Sequence, residues 1–377
     1  MEKFCVCSCN ADDRFAPVSM YLMKNHLEEV KAGMKALAGD AKILYLLPEN
    51  ETVEGLEGEV KYAIKSPTLG NPYAVAQVLE GKLPRPMIAD GYVAVYDGME
   101  VNVVKPEAAY AKATGKEDCF VAVNKDGLEG KETEIKQVAA GTKLSDIVAA
   151  SDAKAVLFGG LKGEFVKPRS LAECVIPEGT SSSSVTVFGK ESCIVDTVKK
   201  IMAMSWEDSC GKCVLCREGT SQFKQITEEM TCGKAKQTDL DLINDVGELI
   251  EVGAYCPFGK NMPRPLLSAI ALYQDDFMEH IKKKSCSAGV CYKAEAVYVI
   301  LPDVCTGCGD CIDECDEDAI IGKSKFIHMI DQDMCEQCGK CVSACEESAI
   351  VAVEGKLPKL PKKLTKVGKF YIFAKKN

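Results

Sequence analysis

Two stretches near the end of the chain repeat one spacing of cysteines, and nothing else in the sequence restricts its fold so tightly. VCTGCGDCIDEC supplies Cys305, Cys308, Cys311 and Cys315, and MCEQCGKCVSAC supplies Cys335, Cys338, Cys341 and Cys345. Related tails, EDAII and ESAIV, follow the two runs, so this is an internal repeat. A cuboidal iron–sulfur cluster needs four thiolates converging on it, and three from a tight loop plus one remote ligand achieve that. The competing chemistry is a set of zinc-binding C-x2-C pairs. Zinc sites rarely need a third cysteine at the same spacing and a fourth just beyond it, twice over.

The two runs resemble bacterial two-cluster ferredoxin domains, in which the fourth cysteine of each run ligates the other cluster. The resemblance implies one 4Fe–4S cluster on Cys305, Cys308, Cys311 and Cys345. It implies a second on Cys335, Cys338, Cys341 and Cys315. One departure is that the proline usual after the fourth cysteine is Asp316 in one run and Glu346 in the other. Seven acids and no basic residue lie between Asp303 and Asp318. Negative charge beside a cluster lowers its potential, whereas a solvated acidic face is screened and has little effect; both readings stand.

The whole chain has 21 cysteines but only three histidines in 377 residues, with a net charge of −10. His26, His280 and His328 are too few for a multi-histidine metal site or a bis-histidine haem. The acidic balance argues against nucleic acid as a partner. No apolar run approaches the ~18 residues of a membrane span. The opening MEKFCVCSCNADDR lacks the basic end and apolar stretch of a secretory signal. The expected location is therefore the cytoplasm, where clustered cysteines usually mean metal rather than disulfides.

DSCGKCVLCREGT places Cys210, Cys213 and Cys216 at one spacing without a nearby fourth cysteine. Two helical stretches separate them from Cys256. In the second, Leu240, Ile243, Gly247 and Ile250 form one stripe, and Thr238 with Asp241 suggests a capping-box start. A further helix carries Leu266, Ile270, Tyr273 and Phe277. With the segment from Ile194 to Met204 this predicts a four-helix bundle. The stretch resembles the flavin-bearing, NADH-oxidising subunit of respiratory complex I and its relatives in bifurcating hydrogenases and formate dehydrogenases. The resemblance implies a third 4Fe–4S cluster on Cys210, Cys213, Cys216 and Cys256. It also implies a flavin domain, a β-grasp domain matched by GTKLSDIV, AVLFGGLKGEF and SSSSVTVFGKESCIVD, and a linker matched by CSAGVC.

The N-terminal third departs from that family. The glycine-rich loop that cradles the flavin phosphate is missing, and such a loop needs small residues so that backbone amides can approach the anion. Asn10, Ala11 and Asp12 match the family's later strand–turn, and Val101, Asn102 and Val103 retain one asparagine of its VNN motif. Gly70 to Val75 replace a segment that carries two carboxylates. The expectation is a shortened domain that no longer binds flavin or NADH; the opposing reading keeps a flavin on Asn10 and Asn102.

The expected fold class is α+β and multidomain. A shortened α/β flavin-type domain spans 1–125, a β-grasp domain 126–192 and a four-helix bundle with a 4Fe–4S cluster 193–284. A bacterial-ferredoxin-like domain with two 4Fe–4S clusters spans 285–355, and a basic tail 356–377. His280, Cys286 and Cys291 form a candidate zinc site lacking an identifiable fourth ligand; two free linker thiols beside a helix-ending histidine is the alternative. Cys5, Cys7 and Cys9 alternate along a strand and are expected to pack in the core, as are Cys119, Cys174, Cys193 and Cys232. Gly179 to Ser184 reads as a loop, and Trp206 as a core anchor. The tail, with Phe370, Tyr371 and Phe373 among its lysines, is either a solvated end or an arm that docks on another subunit.

The function expected is that of an electron-transfer subunit in a hetero-oligomeric complex of anaerobic metabolism. It would relay single electrons between a flavoprotein or ferredoxin and a catalytic oxidoreductase subunit. Two alternatives are a flavin- and NAD(P)H-dependent reductase and a scaffold whose clusters serve as staples.

Overall fold

The computed structural model describes residues 2–87, 92–129, 131–150, 152–292, 297–332, 334–353, 357–361 and 363–370. It divides into two units, Met1–Cys291 and Tyr292–Asn377.

The first unit opens with β1 (Lys3–Ser8), α1 (Val18–Asn25), α2 (Leu27–Ala38), β2 (Lys42–Pro48), β3 (Glu59–Ala63), α3 (Pro72–Leu79), β4 (Val95–Tyr96), β5 (Met99–Val104) and α4 (Pro106–Thr114). The sheet order is β3-β2-β1-β5-β4, parallel except for the edge pair β4–β5. A central parallel strand must bury both faces, and β1 does so by alternation. Phe4 and Val6 join Leu44, Leu46 and Val75 on one side; Cys5, Cys7 and Cys9 join Leu22, Met34 and Tyr45 on the other. The three thiols are thus apolar filling, and burial pushes the Cys5 thiol up. Helices α2 and α4 meet at Gly33, where an added Cβ would lie 2.5 Å from the Ala109 carbonyl carbon.

A second sheet follows, made of β6 (Cys119–Asn124), β7 (Thr133–Val138), β8 (Ala155–Phe158), β9 (Glu164–Val166) and β10 (Ser182–Phe188), with the one-turn α5 (Leu144–Ile147) beside it. The order is β7-β6-β10-β8-β9, with β6 and β10 parallel. The sheet begins at Cys119, inside the span expected for the preceding domain. The serine run is not wholly loop: Ser182–Ser184 start the central strand β10, and the Ser184 hydroxyl donates to Asp13 at 2.6 Å.

The helical part comprises α6 (Ile194–Asp208), α7 (Val214–Thr231), α8 (Thr238–Gly253), the short α9 (Pro257–Asn261), α10 (Arg264–Leu272) and α11 (Gln274–Met278). Leu240, Ile243, Gly247 and Ile250 are the buried stripe of α8, as their spacing requires. The capping box does not form, because Thr238 is already helical and Asp239 instead accepts from the Lys236 amide. The last helix breaks at Tyr273, whose hydroxyl donates to the Lys154 carbonyl while Asp276 pairs with the Lys154 ammonium at 2.6 Å. Trp206 is 46% exposed with Lys224 over its ring, so it is not a core anchor.

The second unit contains β11 (Val297–Ile300), α12 (Asp310–Asp313), β12 (Ile320–Ile321), β13 (Met329–Ile330), α13 (Lys340–Ala344) and β14 (Ile350–Val353). Strands β11 and β14 pair antiparallel, as do β12 and β13. Part of the basic tail lies along this unit: the Ile327 amide donates to the Thr365 carbonyl, and Phe370 packs on the core. Tyr371 and Phe373 lie outside the described residues. Among the described residues no helix is long and apolar enough to cross a membrane.

Candidate metal centres

In the second unit each cysteine run forms a loop that ends in a one-turn helix. The tight turn depends on left-handed backbone at Gly309 and Gly339, immediately before α12 and α13. Glycine meets that demand without a Cβ penalty. Two cavities result. Cys305, Cys308, Cys311 and Cys345 line one, and Cys335, Cys338, Cys341 and Cys315 line the other. Burial first, then the neighbouring Cys305, Cys308 and Cys345, pushes the Cys311 thiol up to about 12. Cys341 is likewise raised, by burial and then by Cys335, Cys338 and Cys315 among its neighbours. Each run thus meets its own first three thiols and the last thiol of the other run. Four thiols that resist ionising beside one another would be held as thiolates by a cationic core.

The bundle gathers a third set. Cys213 precedes α7 at its N-cap position, Cys216 lies in its first turn, and the Cys256 sulfur caps α9 by accepting from the Gly259 amide. Burial, followed by Cys256, Cys210 and Cys213 among its charged neighbours, carries Cys216 up to about 11. Gly259 leaves room beside the Cys216 sulfur, where a Cβ would stand 3.4 Å from it.

A fourth group is of a different kind. Cys193, His280, Cys286 and Cys291 present ligand atoms that all lie within 4.8 Å of one another. Among the described residues it is the one group of three or more histidines, cysteines or acids so tightly drawn together. A tetrahedral zinc ion with bonds of about 2.3 Å to sulfur and about 2.0–2.1 Å to nitrogen holds its ligands about 3.8 Å (S···S) and about 3.6 Å (S···N) apart. The Cys193 sulfur stands 3.6 Å from Cys291 Sγ and 3.4 Å from His280 Nε2. His280 occupies a π-helical turn, Glu279–Lys283, and its Nδ1 lies 2.7 Å from the Asp276 carbonyl. Metal-bound histidines commonly donate their other ring nitrogen in this way, which fixes the tautomer and aims Nε2 at the metal. Hydrogen bonding from Cys291 holds Cys193 down at about 4. Burial alone would lower His280, yet its bonds to Cys193 and the Asp276 carbonyl bring it up to about 9. The donor set therefore fits one zinc ion. Cys193, expected to be a packing residue, is placed to supply the fourth ligand that the sequence leaves unidentified. Cys119 is buried as expected, Cys174 is half-buried and Cys232 is exposed.

At the carboxyl edge of the first sheet, Cys9, Ala11, Asp12 and Lys65 line a cavity of about 450 Å³. Lys105 donates to the Asn10 carbonyl and pairs with Asp12 at 2.8 Å. The N-terminus of α3 is capped by its own Asn71, which accepts from the Tyr73 and Ala74 amides. Asp13 is held by Ser184 and the Phe15 amide. A capped helix and two carboxylates do not suit a flavin phosphate.

A family model described as the NADH-ubiquinone oxidoreductase-F iron-sulfur binding region matches residues 196–280, and one described as a 4Fe-4S dicluster domain matches 297–346. The chain carries both iron–sulfur domains. It is 35% identical over 156 residues to subunit HndC of the NADP-reducing hydrogenase of Solidesulfovibrio fructosivorans, covering 41% of this chain and 31% of that one. It is 30% identical over 105 residues to the F subunit of the NADH-quinone oxidoreductase of Streptomyces coelicolor, covering 28% of this chain and 23% of that one. The chain thus spans about a third or less of the curated relatives it matches. An NAD+-reducing [NiFe]-hydrogenase structure matches 74% of this chain and 56% of its own at a TM-score of 0.63 and 21% identity, a likeness of fold. The likeness to the complex I subunit and its hydrogenase relatives, together with a dicluster ferredoxin domain, therefore holds.

Proposed function

We propose that the chain is an electron-transfer subunit of a hetero-oligomeric oxidoreductase complex, passing single electrons through three 4Fe–4S clusters. The observation that carries this is the gathering of twelve cysteines into three groups of four, each drawn from separate segments. Cys305, Cys308, Cys311 and Cys345 hold one cluster, Cys335, Cys338, Cys341 and Cys315 another, and Cys210, Cys213, Cys216 and Cys256 the third. The partners are a flavoprotein or ferredoxin on one side and a catalytic oxidoreductase subunit on the other. Zinc on Cys193, His280, Cys286 and Cys291 pins the last residues of the first unit to the start of α6.

The edge of the first sheet takes no flavin in this proposal, supported by the capped α3 and the Lys105–Asp12 pair. One observation favours the opposing reading: the Asn10 side chain is buried with both its polar atoms unpartnered. Anaerobic purification followed by iron and flavin quantitation decides between them. About twelve irons per chain and no stoichiometric flavin are expected; one flavin per chain would replace this proposal by a flavin-dependent reductase. Cys308→Ser should then stop electron transfer while the complex still assembles. Loss of assembly instead would make the clusters staples.

A further inference from the structure

The internal repeat places Tyr298 and His328 in equivalent positions, each the same number of residues before the first cysteine of its run. Tyr298 lines the cavity of Cys335, Cys338, Cys341 and Cys315. His328 lines the cavity of Cys305, Cys308, Cys311 and Cys345. The two halves therefore differ here in chemistry, with a phenol beside one cluster site and an imidazole beside the other.

The imidazole is positioned with care. His328 is only 1% exposed, and its Nδ1 lies 3.4 Å from the Cys311 sulfur. It stands just before β13, and across the β12–β13 pair Gly322 leaves its own Cα bare. A Cβ at Gly322 would overlap the ring, 2.6 Å from Nε2. The ring takes a backbone hydrogen bond at Lys323, and its Nδ1 faces the sulfur at hydrogen-bond geometry. A cysteine sulfur bound to iron carries no proton and can only accept. A hydrogen bond between the two therefore places the hydrogen on Nδ1.

We propose that His328 is a potential-setting residue: its Nδ1–H hydrogen bond to the Cys311 sulfur raises the reduction potential of the cluster on Cys305, Cys308, Cys311 and Cys345. The inference rests on the assignment of that cluster above. Reduction adds one electron to the site, with no bond made or broken and with His328 keeping its proton throughout. A hydrogen bond to a ligating sulfur is strengthened by the added negative charge, and bonds of this kind are among the factors that set cluster potentials. The acids from Asp303 to Asp318 act in the opposite direction. At the equivalent position the other site has the Tyr298 phenol instead of an imidazole, so the two repeated sites are separated in potential by this substitution.

The test is a dithionite titration of the full anaerobic chain followed by electron paramagnetic resonance, with iron counted in parallel. His328→Leu should lower one midpoint and leave the others in place. The expected change is about tenfold in the reduced-to-oxidised ratio, about 59 mV for a one-electron couple. His328→Asn, whose amide can donate from the Nδ1 position, should recover part of the shift. Gly322→Ala, which displaces the ring without removing it, should lower the same midpoint. Unmoved midpoints in an iron-replete His328→Leu protein would overturn the proposal. If that variant loses iron, unmoved midpoints in His328→Asn and Gly322→Ala together would overturn it. Wild-type protein with iron for fewer than two clusters in residues 297–346 would overturn the cluster assignment and this inference with it.

Discussion

Replacing Cys193 by serine separates a metal centre from thiols packed beside an imidazole by chance. The Cys193 sulfur stands 3.4 Å from His280 Nε2 and 3.6 Å from Cys291 Sγ, so it is one corner of any tetrahedral donor set formed there. Structural zinc sites bind with about 10–16 kcal/mol near neutral pH, and one ligand in four carries about a quarter of that. The loss of ~3 kcal/mol corresponds to a weakening on the order of a hundredfold. Serine preserves size but replaces a thiolate by a poorly ionising hydroxyl. The assay is zinc and iron counting by mass spectrometry on anaerobically purified full-length protein, before and after dialysis against a graded chelator. Wild type should keep about one zinc, and Cys193→Ser should lose it at a chelator strength on the order of a hundredfold lower. Iron should stay unchanged, because Cys193 lies in none of the three cluster sets. Cys174→Ser, at a half-buried thiol in the connection between β9 and β10, should behave as wild type. Zinc absent from iron-replete wild type, or retained equally by both proteins, would refute the reasoning.

Three further outcomes follow from packing and charge in the first unit. Glu107 is buried, with one oxygen accepting from Ser19 at 2.8 Å and the other unpartnered, and burial raises its pKa. A raised folded-state pKa contributes stability at low pH that is lost as pH rises through it. Glu107→Gln should therefore gain stability relative to wild type as pH climbs from the ordinary carboxylate range to neutral, and a difference in urea midpoints that does not change with pH would count against this. Gly33→Ala would drive a methyl into the Ala109 carbonyl, separate α2 from α4 and cost about 1–3 kcal/mol in urea unfolding, with iron content unchanged. Arg14 holds Asp208 at 2.6 Å and Glu207 at 3.0 Å. Arg14→Ala leaves Asp208 as a buried carboxylate without that partner and should cost about 1–3 kcal/mol by the same measurement.

The sequence exposes whatever is periodic or close together in the chain. The α8 stripe, the alternation of Cys5, Cys7 and Cys9, and the two cysteine runs are all readable because neighbours in sequence remain neighbours in space. Cys193 escapes such a reading because it lies 87 residues from His280 and 98 from Cys291, and its only local signature is that of a helix cap. No spacing rule reaches across that distance. The break at Tyr273 is hidden for a related reason: Lys154, which holds it, lies 119 residues earlier, just before β8. His328 does leave a signal. Aligning the two halves of the repeat sets it opposite Tyr298, and the mismatch at an otherwise equivalent position marks the residue.

The contrast between the chain's two ends follows from where each fold keeps its constraints. The family models match residues 196–280 and 297–346, yet the likeness of fold covers 74% of the chain and so must extend into the N-terminal layers. A parallel sheet is held by its faces: Phe4 and Val6 on one side of β1 and Cys5 and Cys7 on the other are buried whatever stands at the carboxyl edge. The edge can then be rewritten while the sheet persists. Here Asn71 caps α3 and Lys105 pairs with Asp12, while the buried Asn10 amide is left unpartnered. A cluster site has no such latitude, because its ligands are also its fold. Cys216 and Cys256 are core residues of the bundle, and Cys305, Cys311 and Cys341 are core residues of the second unit. Under the proposed ligation, changing any of them would alter packing and metal binding together, which is why the cysteine pattern remains legible where the carboxyl edge of the first sheet does not.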